Sequence, residues 1–328
     1  MRGKLEHQYT IAVPAATSGI GLHTGVAVNL RLTPAPANTG LIFKRTDLDG
    51  FEIAARARNV ARVSYATSLM RKGVLISTTE HLLSALAATG VDNVYVEIDN
   101  LEIPILDGSA LPFVALLRRA GLRRQRGVRT YAKVVRPVEI VEGAKRIAVY
   151  PADRFAVSYR IAFPHPLIGE QSFEYRPGAA HAYGTNGTNG TNGKGNAKAG
   201  AYESQIAPAR TFGFYEEVER LRQSGLVRGG SLENAVVLSR DGVMNPEGLR
   251  FRDEFCRHKI LDLIGDLAML GRPLVGHVVA ERAGHAMHAA LVARLLREKS
   301  AWTVVTSEEL EAQESLEAPA PVQAARLA

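Results

Sequence analysis

Apolar and polar side chains alternate in VAVNLRL (Val26 to Leu32), GLIFKR (Gly40 to Arg45) and VDNVYVEIDN (Val91 to Asn100), and this period of two predicts half-buried strands. The turn-forming PAPANTG separates the first two. In TTEHLLSALAATG the apolar spacing lengthens to three and four, which predicts a helix stopping at Gly90. LPFVALLRRAGL (Leu111 to Leu122) reads as a second amphipathic helix. The pattern then starts again. YAKVVRPVEIV, KRIAVYP and FAVSYRIAF read as strands, and helices are expected at about Tyr215 to Ser224 and Leu249 to Leu270. A strand from Leu274 to Glu281 leads into a last helix, His285 to Lys299. Each half thus carries strands and two principal helices, which predicts an α+β protein of two similar halves, although no sequence repeat links them.

The predicted domains are residues 1–126 and 127–305, divided at an arginine-rich stretch, with 306–328 as a flexible tail. GTNGTNGTNGKGNAKAG, at about 184–200, is a low-complexity insertion with nothing to bury. No run of about 18 apolar residues occurs, so no membrane span is expected, and the first residues lack a signal-peptide pattern. A single cysteine, Cys256, suits a reducing cytoplasm. The net charge of +7 favours anionic partners, and much of it lies at Arg118, Arg119, Arg123, Arg124, Arg126 and Arg129. No aromatic side chains interleave with these arginines and no nucleic-acid-binding signature is present, so a solvated face or linker is expected and a nucleic-acid partner is not.

The long helix carries the sharpest chemical pattern. His258, Asp262 and Asp266 are spaced i, i+4, i+8 and form one stripe, opposite Ile260, Leu263, Ile264 and Leu267. A His and an Asp one turn apart can reach one metal ion, but a solvent-facing polar stripe has the same spacing. His81 follows Glu80, a pairing that suits a ligand beside a general base. The competing reading is a capping box, with Ser77 at the N-cap and Glu80 reaching back to it. His285 follows Ala283-Gly284 at a strand-to-helix junction, where it could serve as a general acid oriented by Asp266, or merely open the helix. His277 and His288 read as structural. Glycine-rich SGIGLHTG, LDGSA and VRGGS match neither the P-loop nor the dinucleotide-binding pattern.

Read in order, GIGLHTG, PAPANTGLIFKRTDL, STTEHLLSALAATGVDN, EIPILDGSALPF, ARTFGF, GLRFRDEFCRHKILDLIGDL and GHAMHAAL resemble the zinc-dependent UDP-3-O-acyl-N-acetylglucosamine deacetylases of lipid A biosynthesis, over about residues 18–290. The resemblance implies two similar domains, each a mainly antiparallel sheet with two helices, the helices packed between the sheets. It implies Zn²⁺ held by His81, His258 and Asp262, with Glu80 as general base. His285 would be the cationic acid supported by Asp266, and Thr211 an oxyanion donor. Lys259 would meet the nucleotide-sugar, Phe163 the uracil ring, and Lys145 and Arg282 the diphosphate. Phe214, Val218, Ala235 and Val237 would line an apolar passage for the acyl chain. The implied partner is an acylated UDP-amino sugar. A monomer is expected, with peripheral membrane contact left open. The TNG-repeat run is an insertion relative to this family.

Overall fold

The computed structural model describes residues 5–177 and 200–317. The TNG-repeat segment up to residue 199 and the end of the tail, 318–328, lie outside the described residues. Seven helices occur among those described: α1 (Glu80–Ala88), α2 (Leu111–Ala120), α3 (Ala201–Gln205), α4 (Tyr215–Gln223), α5 (Glu254–Leu267), α6 (His285–Arg297) and α7 (Ser307–Glu317).

The similarity of the halves, invisible in residue identities, is explicit in topology. The first sheet has the spatial order Ala15–Ile20, Ala27–Pro34, Val94–Ile98, Leu41–Arg45, Phe51–Ala54. The second runs Val138–Glu142, Lys145–Tyr150, His277–Glu281, Ala156–Ala162, Glu170–Tyr175. In both, the strand that comes last in the chain sits at the centre, parallel to the third and antiparallel to the second. One principal helix precedes that central strand and one follows it: α1 and α2 in the first half, α5 and α6 in the second. PAPANTG therefore ends one strand and begins another without making them neighbours, because Val94–Ile98 lies between them.

Alternation decides which sheet face is buried. Val28, Leu30 and Leu32 are buried while Ala27, Asn29 and Arg31 are exposed, so one face meets the core and the other water. The helices form the layer between the sheets: α2 packs on α1 and Ala15–Ile20, α5 on Ala156–Ala162 and Glu170–Tyr175, and α6 on Val138–Glu142 and Lys145–Tyr150. The densest helix contact joins the halves, α1 against α5. Gly265 makes it possible: a Cβ there would fall 2.0 Å from the Glu80 carbonyl oxygen. Leu82, Leu83 and Leu86 of α1 share one core with Ile260, Leu261, Ile264 and Leu267 of α5.

Several expectations are corrected. The long helix starts at Glu254 rather than Leu249, because the Glu254 carboxylate accepts the backbone N–H groups of Arg210 and Arg250 and holds the preceding residues as a turn. The predicted Leu274 to Glu281 strand divides at Gly276, where a Cβ would press on Val134 and the Tyr150 carbonyl. Leu274–Val275 pairs with Thr130–Val134, and His277–Glu281 enters the second sheet. The arginine-rich stretch is not a linker but a strand, Leu122–Val128, paired with His7–Ile11. Its Arg123, Arg124 and Arg126 are exposed, whereas Arg129 is buried and bonded to Asp92, Glu6 and the Gly90 carbonyl. The expected loose tail begins instead as α7, docked through the buried Leu310 and Ser307. Among the described residues no helix is long and apolar enough to cross a membrane.

Candidate functional site

The crossing of α1 over α5 brings Glu80 and His81 from one half against His258, Asp262 and Asp266 from the other, and all five are buried. The stripe on α5 is therefore not solvent-facing. Nor does the capping box form: no side chain caps α1, and Ser77 accepts a hydrogen bond from the Ser68 hydroxyl instead. The Glu80 carboxylate turns inward and accepts the backbone N–H of Thr67 at 3.0 Å through Oε2. Just before the helix, Thr78 holds φ at +58°, a conformation costly for a β-branched residue. Its hydroxyl is anchored to Glu102 at 2.9 Å. Such strain is found where the surroundings over-determine a geometry.

His81, His258 and Asp262 each offer one donor atom, all within 4.8 Å of one another. The His81 and His258 Nε2 atoms lie 3.6 and 3.4 Å from Asp262 Oδ1. Among the described residues that oxygen is buried without a hydrogen-bond partner, which suits a ligand atom. His258 Nδ1 lies 3.1 Å from the Ala209 carbonyl, so with its proton there the Nε2 lone pair faces the cluster. Burial pushes the His258 pKa down to about 3, which keeps the imidazole neutral. Burial opposes ionisation of Asp262, but His258, Lys259 and His285 outweigh it and hold the carboxyl well below its usual range. The residues fit a metal of the zinc type. Asp266, His285 and His288 are as close together but fit poorly. Both Asp266 oxygens are already engaged, by the Thr67 hydroxyl at 2.6 Å and by two imidazoles at 2.8 and 2.9 Å.

That second cluster instead builds a cation. His285 Nδ1 lies 2.8 Å from Asp266, while Nε2 faces the metal-type cluster, 3.9 Å from Glu80 and 3.8 Å from Asp262. Burial pushes the His285 pKa down, yet the carboxylates of Asp266, Asp262 and Glu80 prevail and raise it to about 9. Burial also raises the Glu80 pKa, against the opposing pull of His285 and His81. His288 Nδ1 shares Asp266 Oδ2 with His285, and its Nε2 lies 3.0 Å from the Tyr159 hydroxyl.

One residue at the site has no mark in the sequence. Thr67 touches both clusters, donating from its backbone to Glu80 and from its hydroxyl to Asp266, but no motif marks it. His288, read from the sequence as structural, packs behind Asp266 between that carboxylate and Tyr159.

The remaining candidates are placed less closely. Thr211 lies on the segment passing His258, its backbone bonded to Gly108 and Val236, with no side-chain bond to the clusters among the described residues. Lys259 is drawn to Asp262 Oδ2 at 2.8 Å. Phe214 belongs to the Phe212–Phe214 strand, paired in parallel with Val236–Leu238, which carries Val237 and follows Ala235. Val218 on α4 packs against Gly213, and the Phe163 ring sits 5.7 and 5.9 Å from Phe212 and Phe214. Lys145 and Arg282 are exposed at the same end of the second sheet, one step beyond the Arg146–Glu281 pair.

A three-donor set beside a buried carboxylate and an opposed cationic imidazole is compatible with a metal ion flanked by a base and an acid. The chain belongs to the UDP-3-O-acyl N-acetylglycosamine deacetylase family, whose profile matches residues 8–297. It is 52% identical to the UDP-3-O-acyl-N-acetylglucosamine deacetylase of Solibacter usitatus (strain Ellin6076), over 93% of this chain and 97% of that protein. Proteins of the same name from Myxococcus xanthus (strain DK1622) and Phenylobacterium zucineum (strain HLK1) are 43% and 44% identical. Those alignments cover 93% and 91% of this chain, and 91% and 96% of the relatives.

Proposed function

We propose that this chain hydrolyses the acetamide of UDP-3-O-acyl-N-acetylglucosamine to acetate and the free amino sugar, an early step of lipid A biosynthesis, using Zn²⁺ held by His81, His258 and Asp262. The Asp262 oxygen, without a hydrogen-bond partner among the described residues and facing the His81 and His258 Nε2 atoms, carries the metal reading; the substrate rests on the family. Bound zinc supplies Lewis-acid polarisation and a lowered water pKa. Glu80 removes the proton of the attacking water, and its raised pKa suits a base that must also release that proton. His285, charged below about pH 9, stabilises the developing oxyanion and protonates the departing amine. Asp266 fixes its tautomer and orientation. Thr211 donates a further bond to the oxyanion.

Lys259 exchanges Asp262 for the substrate, and Lys145 and Arg282 meet the diphosphate while Phe163 meets the uracil. Phe214, Val218, Ala235 and Val237 enclose the acyl chain. The buried free thiol of Cys256 suits a reducing cytoplasm. The test pairs metal content with acetate release from the acylated UDP-sugar and from UDP-N-acetylglucosamine. One zinc per chain and strong preference for the acylated substrate are expected; equal turnover of the two would refute the substrate assignment. Glu80→Ala should keep the zinc and lose most turnover.

A further inference from the structure

At the far ends of α1 and α5, where the halves meet away from the catalytic cluster, a cavity of about 230 Å³ is lined by Arg56, Gly90, Asp92, Gly271 and Arg272 among others. The Arg56 guanidinium crosses from the first half into a slot between two glycines in the left-handed region, Gly40 (φ +77°) and Gly271 (φ +86°). A Cβ at Gly271 would fall 1.7 Å from Arg56 Nη1, and one at Gly40 would fall 2.9 Å from Nη2. The slot is thus cut to the guanidinium. Yet among the described residues Arg56 has no carboxylate within ion-pair distance, and neither does Arg272, whose guanidinium lies over the Trp302 ring. Asp92 faces the same cavity, but it is taken up by Arg129 and the backbone N–H of Tyr9.

Burial together with the charges of Arg58 and Arg272 makes the proton on Arg56 less tightly held than usual, so like charges converge here uncompensated. An unopposed, half-buried arginine pair beside a cavity large enough for a small molecule is the arrangement that oxyanions fill, since guanidinium forks match phosphate geometry.

We propose that this cavity is a second ligand site, which takes a phosphate-type oxyanion of a small metabolite between Arg56 and Arg272 and so ties the two halves together. The test is titration of the purified full chain with inorganic phosphate at constant ionic strength, by calorimetry and by thermal shift, with chloride as control. Saturable binding and stabilisation are expected. Arg56→Gln and Arg272→Gln, each expected to leave basal deacetylation unchanged, should each weaken phosphate binding by about tenfold or more, the value of a charged hydrogen bond. Binding should persist in the Lys145→Ala/Arg282→Ala variant, which separates this cavity from the proposed substrate diphosphate subsite. A tricarboxylate competing better than phosphate would overturn the phosphate assignment. Absence of saturable binding, or binding indifferent to both cavity substitutions, would overturn the site.

Discussion

Gly265→Ala tests how the site is held together. The added methyl would lie 2.0 Å from the Glu80 carbonyl oxygen and 3.0 Å from Glu80 Cα, where carbon rarely comes nearer than 3.0 Å. The α1–α5 contact must therefore open by about 1 Å. Overpacking of this kind costs about 1–3 kcal/mol. For a chain of this size each kcal/mol lowers the melting temperature by roughly 2 °C, so a fall of about 2–6 °C is expected. The larger effect should be on chemistry, because α1 carries Glu80 and His81 while α5 carries His258, Asp262 and Asp266. A misplacement of about 1 Å can cost about a hundredfold in rate. Thermal melts, metal affinity and kcat are measured beside Gly242→Ala, a position with open space around it. Wild-type turnover in Gly265→Ala would refute the view that this contact sets the spacing of base and ligands.

Three further outcomes follow from the second cluster and from the segment that backs His258. The acid needs protonated His285, so activity is expected below about pH 9 and lost as pH rises through it. Asp266→Asn removes the nearest carboxylate and should move that alkaline limb down by about 1–3 pH units in a kcat–pH profile; an unmoved limb would exclude His285 as the titrating acid. Thr67→Val strips Asp266 and His285 of their shared hydroxyl and should lower kcat by about 10–100-fold with little change in KM, with Thr67→Ser restoring it. Arg210 is bonded to Glu254, Glu247 and the Gly248 carbonyl. Arg210→Ala should therefore destabilise the fold by about 3 kcal/mol in denaturant titration by leaving Glu254 buried and unpaired; an unchanged midpoint would refute that.

Local features of this fold were readable because they repeat at short range. The alternation at Val28, Leu30 and Leu32 and the helical spacing of α1 and α4 survive folding almost unchanged. What the pattern could not carry is strand order, since nothing in GLIFKR says that Val94–Ile98 will insert beside it. For the same reason the equal topology of the halves is absent from the residues: a pairing scheme constrains which faces are apolar, not which apolar residue fills them. The stripe His258, Asp262, Asp266 was visible, but spacing alone does not distinguish a buried stripe from a wet one; the crossing by α1 decides that. Thr67 had no local signature at all, because its partners lie 13, 199 and 218 residues away. Arg129 reads as part of a charged run and is instead a buried anchor, set apart by Asp92, Glu6 and the Gly90 carbonyl in distant loops.

The Asp266 cluster has a directional consequence. Behind His285, contacts run through Asp266 and His288 to the Tyr159 hydroxyl, which donates to the Ala283 carbonyl, and His288 and Tyr159 are sealed from water. A carbonyl oxygen accepts a hydrogen bond but carries no proton to pass on, so this route is a cul-de-sac rather than a wire. If His285 surrenders its proton to the amine, as proposed, the replacement must enter through Nε2, the side that faces Glu80 and Asp262. On the proposed mechanism the proton that Glu80 takes from water is at hand on that same side, so base and acid are reset by each other with no relay through the interior.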